Sequence, residues 1–263
     1  MSADPAATPL NGYRQVGNGP ARIIALSGWF GCADAWTQMV ECIDTEAESW
    51  VFFDYRGYGR SRHLQGAFTF EEVAGDVLRL ADALGWQRFS LVGHSMGGMA
   101  MQRVLLAAPE RVERMLAVTP VPACGARMDA QRLPLFTSAI DDIGKREFII
   151  NFSTGNRLPA PWVRQMARHS WENATQQAFA AYLAEWGTRG FADQVAGNTT
   201  PVRVMVGEHD PSLTAGLMTS TWLAWYPNAS LETIANAGHY PMNETPLAFS
   251  AAATRYLAPQ APA

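Results

Sequence analysis

An α/β protein built on a mostly parallel sheet flanked by helices is predicted by three observations. Gly93-His94-Ser95-Met96-Gly97 separates an apolar run, Phe89-Ser90-Leu91-Val92, from a stretch of helical character beginning at Gly98. Asp210 closely follows a second buried-strand pattern, Pro201 to Gly207, and His239 follows a third, Ser230 to Ile234. Loops just past the carboxyl ends of strands are where open α/β sheets gather ligands.

The remaining elements follow in order. Strands are expected near Tyr13 to Val16, at Arg22 to Leu26 and at Trp50 to Asp54. A helix from about Phe70 to Leu84 starts with Thr69 and Glu72 at capping-box spacing and stops at Gly85. The helix after the Gly-rich pentapeptide runs to about Ala108, and Met115 to Thr119 forms a strand that Pro120 and Pro122 end. Residues 122 to 198 lack strand alternation and are broken into short helical segments by Gly144, Gly155, Pro159, Pro161 and Gly187. Phe136, Phe148, Phe152, Trp162, Trp171, Phe179, Tyr182 and Trp186 give this stretch more aromatic surface than a connector needs. Gly197 to Pro201 reads as a hinge, with a helix near Met218 to Trp225 and another from Pro246 to Leu257 beyond it. The tail from Ala258 to Ala263 is expected to be disordered.

The pentapeptide carries chemistry. A strand that turns sharply into a helix at G-x-S-x-G exposes the serine at the tip of a strained elbow, with a helix N-terminus beneath it. Ser95 is therefore a candidate nucleophile. A serine hydroxyl is weak at neutral pH, so a general base and an acid that orients it should follow in the order Ser, Asp or Glu, His. Asp210 and His239 meet that order; Glu208 is the rival acid and His209 the rival base. Of the other histidines, His94 should point away from the reacting groups, His63 sits in a polar loop, and His169 lies in an amphipathic stretch.

These segments resemble those of an α/β-hydrolase of the small esterase or lactonase type. Arg22 to Trp29 resembles the family's strand and oxyanion loop, and Asp54-Tyr55-Arg56-Gly57-Tyr58-Gly59-Arg60-Ser61 resembles its D-x-R-G-x-G-x-S turn. The likeness spans roughly Tyr13 to Leu257. It implies an α/β-hydrolase fold with a core of residues 1–121 and 199–263 and a helical cap at 122–198. It also implies a Ser95, His239 and Asp210 triad with oxyanion donors at the Met96 and Trp29 N–H groups. Trp29, Phe30, Trp162 and Trp186 are the residues expected to contact substrate. Ser27 stands where the family usually has histidine, so the oxyanion loop must be braced differently. The implied activity is hydrolysis of a small-molecule carboxylic ester, lactone or thioester with no cofactor and no metal. A carbon–carbon bond hydrolase, a cofactor-free oxygenase and a ligand-binding receptor with residual activity remain alternatives. Dehalogenase and epoxide hydrolase chemistry is disfavoured, because it needs a carboxylate at position 95.

Composition agrees. The 263 residues are 48% hydrophobic and 17% charged, which is neither disordered nor membrane-spanning. A formal net charge of −4, with no basic cluster and Lys145 as the only lysine, argues against nucleic acid as a partner. Met1-Ser2-Ala3-Asp4-Pro5 has neither a basic nor an apolar leader region, so a cytoplasmic location without membrane partners is expected. Cys32, Cys42 and Cys124 lack metal-ligand spacing and are expected as small buried apolar residues. No feature of the sequence sets an oligomeric state.

Overall fold

A computed structural model describes residues 9–258 of the chain. The N-terminal Met1 to Pro5 stretch and, but for Ala258, the expected disordered tail lie outside the described residues. Among the described residues seven strands form one sheet, in the order β1-β3-β2-β4-β5-β6-β7. They are β1 (Tyr13–Val16), β2 (Ala21–Leu26), β3 (Glu48–Phe53), β4 (Phe89–His94), β5 (Val112–Val118), β6 (Val202–Gly207) and β7 (Ala229–Ile234). Only β1, at the edge, runs antiparallel, against β3. Strands β3 and β4 are buried along their whole length, as strands covered by helices on both faces must be. Their residues accordingly read as near-continuous apolar runs.

The parallel register sets where the functional loops emerge. Leu26 lies opposite Gly93, Gly93 opposite Ala117, and Gly207 opposite Ile234. Loops leaving β2, β4, β5, β6 and β7 therefore share one end of the sheet.

The helix at Phe70–Ala83 begins as its sequence predicts, with Thr69 Oγ1 accepting the Glu72 N–H at 3.2 Å. Gly85 takes φ +70 just after it, a conformation that glycine enters without strain. The helix after β4 spans Met96–Ala107, two residues earlier than predicted, because the first amides of the helix belong to the elbow itself. The stretch near Met218 to Trp225 is two short helices, Ala215–Ser220 and Trp222–Trp225, interrupted at Thr221. The final helix is Pro246–Leu257, as expected.

Between β5 and β6 the chain forms helices and no strand. The main ones are Arg132–Ser138, Ile143–Ser153, Ala160–Asn173 and Gln176–Thr188. Arg146, in the second of these, is 1% exposed, and no carboxylate pairs with it among the described residues. Its guanidinium donates to the Ala139 carbonyl (2.8 Å) and to Ser170 Oγ (2.9 Å), and lies 3.7 Å above the Phe179 ring. Burial pushes its pKa down to about 10, which leaves it charged near neutral pH.

Cys32 is buried, whereas Cys42 and Cys124 are only partly so; all three are free thiols. Among the described residues no helix is long and apolar enough to cross a membrane.

Candidate active site

Ser95 sits at the turn between β4 and the Met96–Ala107 helix with φ +53 and ψ −116. A non-glycine residue in that region carries on the order of 1–3 kcal/mol of strain, so its neighbours must hold it. They do so by backbone hydrogen bonds: the Ser95 N–H to the Val118 carbonyl (3.0 Å), and the Gly98 and Val121 N–H groups to the Ser95 carbonyl (2.9 Å each). The two flanking glycines are required by space. A Cβ on Gly93 would collide with the Gly97 carbonyl, and one on Gly97 with the Leu26 carbonyl.

Asp210 follows β6 and His239 follows β7. His239 Nε2 is 3.0 Å from Ser95 Oγ, and its Nδ1 is 2.7 Å from Asp210 Oδ2. The carboxylate fixes the tautomer: Nδ1–H donates to Asp210, leaving Nε2 free to accept from the serine hydroxyl. The other oxygen of Asp210 accepts the Ser212 and Leu213 N–H groups at 2.9 and 3.0 Å. Burial pushes the Asp210 carboxyl up, but the His239 ring and those two amides outweigh it and hold the group below the usual carboxylate range. Asp210 is thus kept ionised beside the imidazole. The rivals lie apart: His209 and Glu208 pair with one another on the surface at 3.6 Å, and Glu208 accepts the Asn236 N–H.

His94 departs from expectation. Its ring packs beside His239, centroids 5.0 Å apart, and its Nε2–H donates to the His239 carbonyl at 2.8 Å. Thr119 Oγ1 donates to the same carbonyl at 2.9 Å, from a backbone with φ +38, an unusual conformation for a β-branched residue. Two donors therefore clamp the backbone of the histidine whose side chain meets Ser95. Burial and the neighbouring His239 push the His94 pKa down to about 3, so its ring is neutral. Glu244 braces the same loop, accepting the Gly238 and Tyr240 N–H groups (2.8 and 3.0 Å) while facing Arg157 at 3.3 Å. Sequence reasoning missed His94, Thr119 and Glu244. Only the short spacing from His239 to Glu244 offered a signal for any of them.

The loop after β2 is packed onto the elbow. A Cβ on Gly28 would lie 3.1 Å from the Ser95 Cβ, so the Gly28-Trp29 backbone passes directly beside the serine. Neither the Trp29 nor the Met96 N–H has an acceptor among the described residues. Without the family's histidine, Ser27 braces the loop: its Oγ donates to the Gly31 carbonyl (3.2 Å) and its own carbonyl accepts from Tyr55 Oη (2.8 Å). Tyr58 Oη donates to the Trp29 carbonyl at 3.1 Å, and the Trp29 indole N–H to the Phe179 carbonyl at 2.8 Å. Asp54, in the turn after β3, accepts the Ala33 N–H (2.7 Å) and the Arg60 N–H (3.0 Å), tying that turn to the same loop.

A cavity of about 440 Å³ reaches Ser95 and His239. Of the expected contact residues, Trp29, Phe30 and Trp186 line it, together with Phe136, Phe148 and Leu213. Trp162 does not. It stacks edge-on against Tyr240, centroids 5.7 Å apart, and faces a second cavity. Among the described residues no cluster of three or more His, Cys, Asp or Glu side chains is placed to hold a metal ion.

Comparison with known proteins places this geometry in context. A family profile described as alpha/beta hydrolase fold matches residues 21–246. A candidate carbamate hydrolase, RutD, of Caulobacter sp. (strain K31) is 32% identical over 111 residues, which are 40% of this chain and 41% of that protein. The matched part thus spans about two fifths of that relative's length. Among solved structures, an esterase from Exiguobacterium antarcticum superposes with a TM-score of 0.84 at 17% identity, covering 93% of this chain and 94% of that one. The enol-lactonase from Burkholderia xenovorans LB400 gives 0.78 at 22% identity, covering 94% and 95%. At such identities the structural likeness speaks for the fold, and the profile match over most of the chain speaks for descent. The chain belongs to the alpha/beta hydrolase fold family.

Proposed function

We propose that this protein is a serine hydrolase of small-molecule carboxylic esters, lactones included, working through an acyl-enzyme. The observation that carries the reading is the continuous relay from Ser95 Oγ through His239 to Asp210, with links of 3.0 and 2.7 Å. Ser95 Oγ attacks the ester carbonyl while His239 Nε2 takes its proton. Asp210 holds the imidazole by Nδ1 and stabilises the imidazolium that forms. The Met96 and Trp29 N–H groups receive the negative charge that develops on the carbonyl oxygen. His239 then gives the proton to the departing alcohol and takes one from water; the hydroxide adds to the acyl carbon, and His239 returns the proton to Ser95 Oγ as the acid leaves.

The apolar lining of the cavity supports an acid whose chain is uncharged. Apart from His94 and His239, Arg132 is the one charged type in the lining, and that residue is solvent-exposed.

Labelling with a fluorophosphonate, together with turnover of p-nitrophenyl esters, lactones and a carbamate, tests the reading. Labelling that Ser95→Ala abolishes, with ester or lactone turnover above the carbamate, is the expected result. Ester turnover that survives Ser95→Ala would overturn it.

A further inference from the structure

We propose that the substrate is an amphiphilic ester, whose apolar acid occupies the chamber over Ser95 and whose polar, uncharged alcohol extends into the second cavity. The inference rests on the serine hydrolase reading above and adds the chemistry of the leaving group.

An ester held at Ser95 has two arms, and they need different space. The chamber of about 440 Å³ that touches Ser95 offers mainly aromatic and aliphatic walls. Such a surface favours the arm without hydrogen-bonding groups, because a polar arm buried there would lose its water without compensation. The second cavity, of about 400 Å³, lies between the Asp34 to Gln38 segment and the Ala160–Asn173 helix. Thr37, Gln38, Gln165, Arg168 and Glu172, all solvent-exposed, line it with the half-buried His169, so it is an open groove rich in donors and acceptors. It touches neither Ser95 nor His239, so it is not a second reaction site.

The two cavities share Ala35, Met166 and Asn243 as a common wall. Met166 is unbranched, with several rotatable bonds, and can repack around a chain that crosses it. Asn243 donates its amide N–H₂ to the Ala35 carbonyl (3.2 Å) and to Gln38 Oε1 (2.5 Å), while its own Oδ1 is buried with no donor among the described residues. A buried acceptor without a partner is unfavourable, and opening the wall at Met166 would uncover it to a hydroxyl or amide N–H on the crossing arm.

Charge then narrows the alcohol. Asp34 is already paired with Arg60 at 3.1 Å, and the remaining Arg168 and Glu172 are of opposite sign. The lining mixes both signs and its carboxylates disfavour an anion, while its amide and hydroxyl side chains suit an uncharged arm, a polyol or an amide-bearing alcohol. In the reaction Ser95 Oγ adds to the acyl carbon, and the bond to the alcohol oxygen breaks as the resulting tetrahedral intermediate collapses. That oxygen takes the proton held by His239, and the free alcohol leaves into the polar cavity.

The test compares two esters of one acid, glyceryl monohexanoate and butyl hexanoate, each below its aggregation concentration. Both give the same acyl-enzyme, so deacylation is common to them and any difference in kcat/KM lies in acylation. The wild-type protein is expected to prefer the glyceryl ester. Replacing two cavity residues remote from Ser95, Thr37→Val with Gln165→Leu, should lower the glyceryl-to-butyl ratio of kcat/KM by about tenfold, the size expected for two lost hydrogen bonds. A wild-type ratio near one, or a ratio in the variant within about twofold of wild type, overturns the assignment of the alcohol site while leaving the hydrolase reading intact. Turnover of neither ester, with no fluorophosphonate labelling, would instead sink the underlying reading.

Discussion

Replacing His94 by glutamine should flatten the acid side of the protein's stability profile. In the folded chain burial pushes the His94 pKa down to about 3, whereas the same side chain in an unfolded chain titrates at about 6.5. Between these values the unfolded state binds more protons than the folded state, so stability rises with pH. The contribution is fully present above the unfolded value and is lost progressively as pH falls below it. Integrating the linkage relation from about pH 8 to about pH 5 gives a loss of about 2 kcal/mol from this one residue. Glutamine keeps an N–H that can reach the His239 carbonyl and has no titration in this range. Asp210, whose depressed pKa makes its contribution disappear at still lower pH, is present in both proteins. Glu48 and Asp54, whose burial raises their pKa values and reverses the sign, are also common to both. Urea midpoints and slopes at the two pH values, for wild type and variant, measure the difference directly. Wild type should lose about 2 kcal/mol more than the variant. Equal losses in the two proteins would mean that His94 takes up a proton in the folded state as readily as in the unfolded one, and that the clamp on His239 is not neutral.

Other expectations follow from the same geometry. Ser95→Ala should lower ester turnover by about 10⁴-fold or more, and adding His239→Ala should change it little further, because nucleophile and base act as a unit; single- and double-variant kinetics read this, and multiplying losses would refute it. Trp186→Ala should shift the preferred acyl length, by about 1–3 kcal/mol per methylene-sized change in fit, whereas Trp162→Ala, outside the chamber, should leave the rank order of acetyl to octanoyl esters as it is. Arg146→Ala should destabilise the fold by about 3 kcal/mol, read from urea unfolding, since the Ala139 carbonyl and Ser170 hydroxyl lose their donor in a buried site.

The positions of Ser95, Asp210 and His239 were legible because each closely follows a strand, and parallel register gathers strand ends by itself. No knowledge of side-chain packing was needed. The clamp on His239 was not legible for the opposite reason. His94 lies beside Ser95 in sequence, but its partner is a backbone carbonyl contributed by residue 239, and a carbonyl leaves no trace in residue type. Trp162 and Trp186 likewise looked equivalent, two tryptophans in helical stretches of one segment. Which of them meets the chamber depends on how each helix is rotated against the sheet, and periodicity says which residues share a face but not what that face meets. Ser27 shows a middle case: the departure from the family's histidine was visible, while its remedy, a hydrogen bond to Gly31 and a tyrosine from beyond β3, depends on which segments the fold brings beside the loop.

The stack of Arg146, Phe179 and Trp29 ties together parts of the molecule that differ in purpose. Phe179 lies 3.7 Å under the guanidinium and 3.9 Å from the Trp29 ring, and its carbonyl also takes the Trp29 indole N–H. The helices between β5 and β6 thus grip the very residue whose backbone N–H is proposed to meet the reacting oxygen. Removing Phe179 would loosen that grip along with the packing under the guanidinium. Single substitutions in the chamber wall that leave Phe179 in place should therefore reshape the pocket without disturbing the Trp29 backbone.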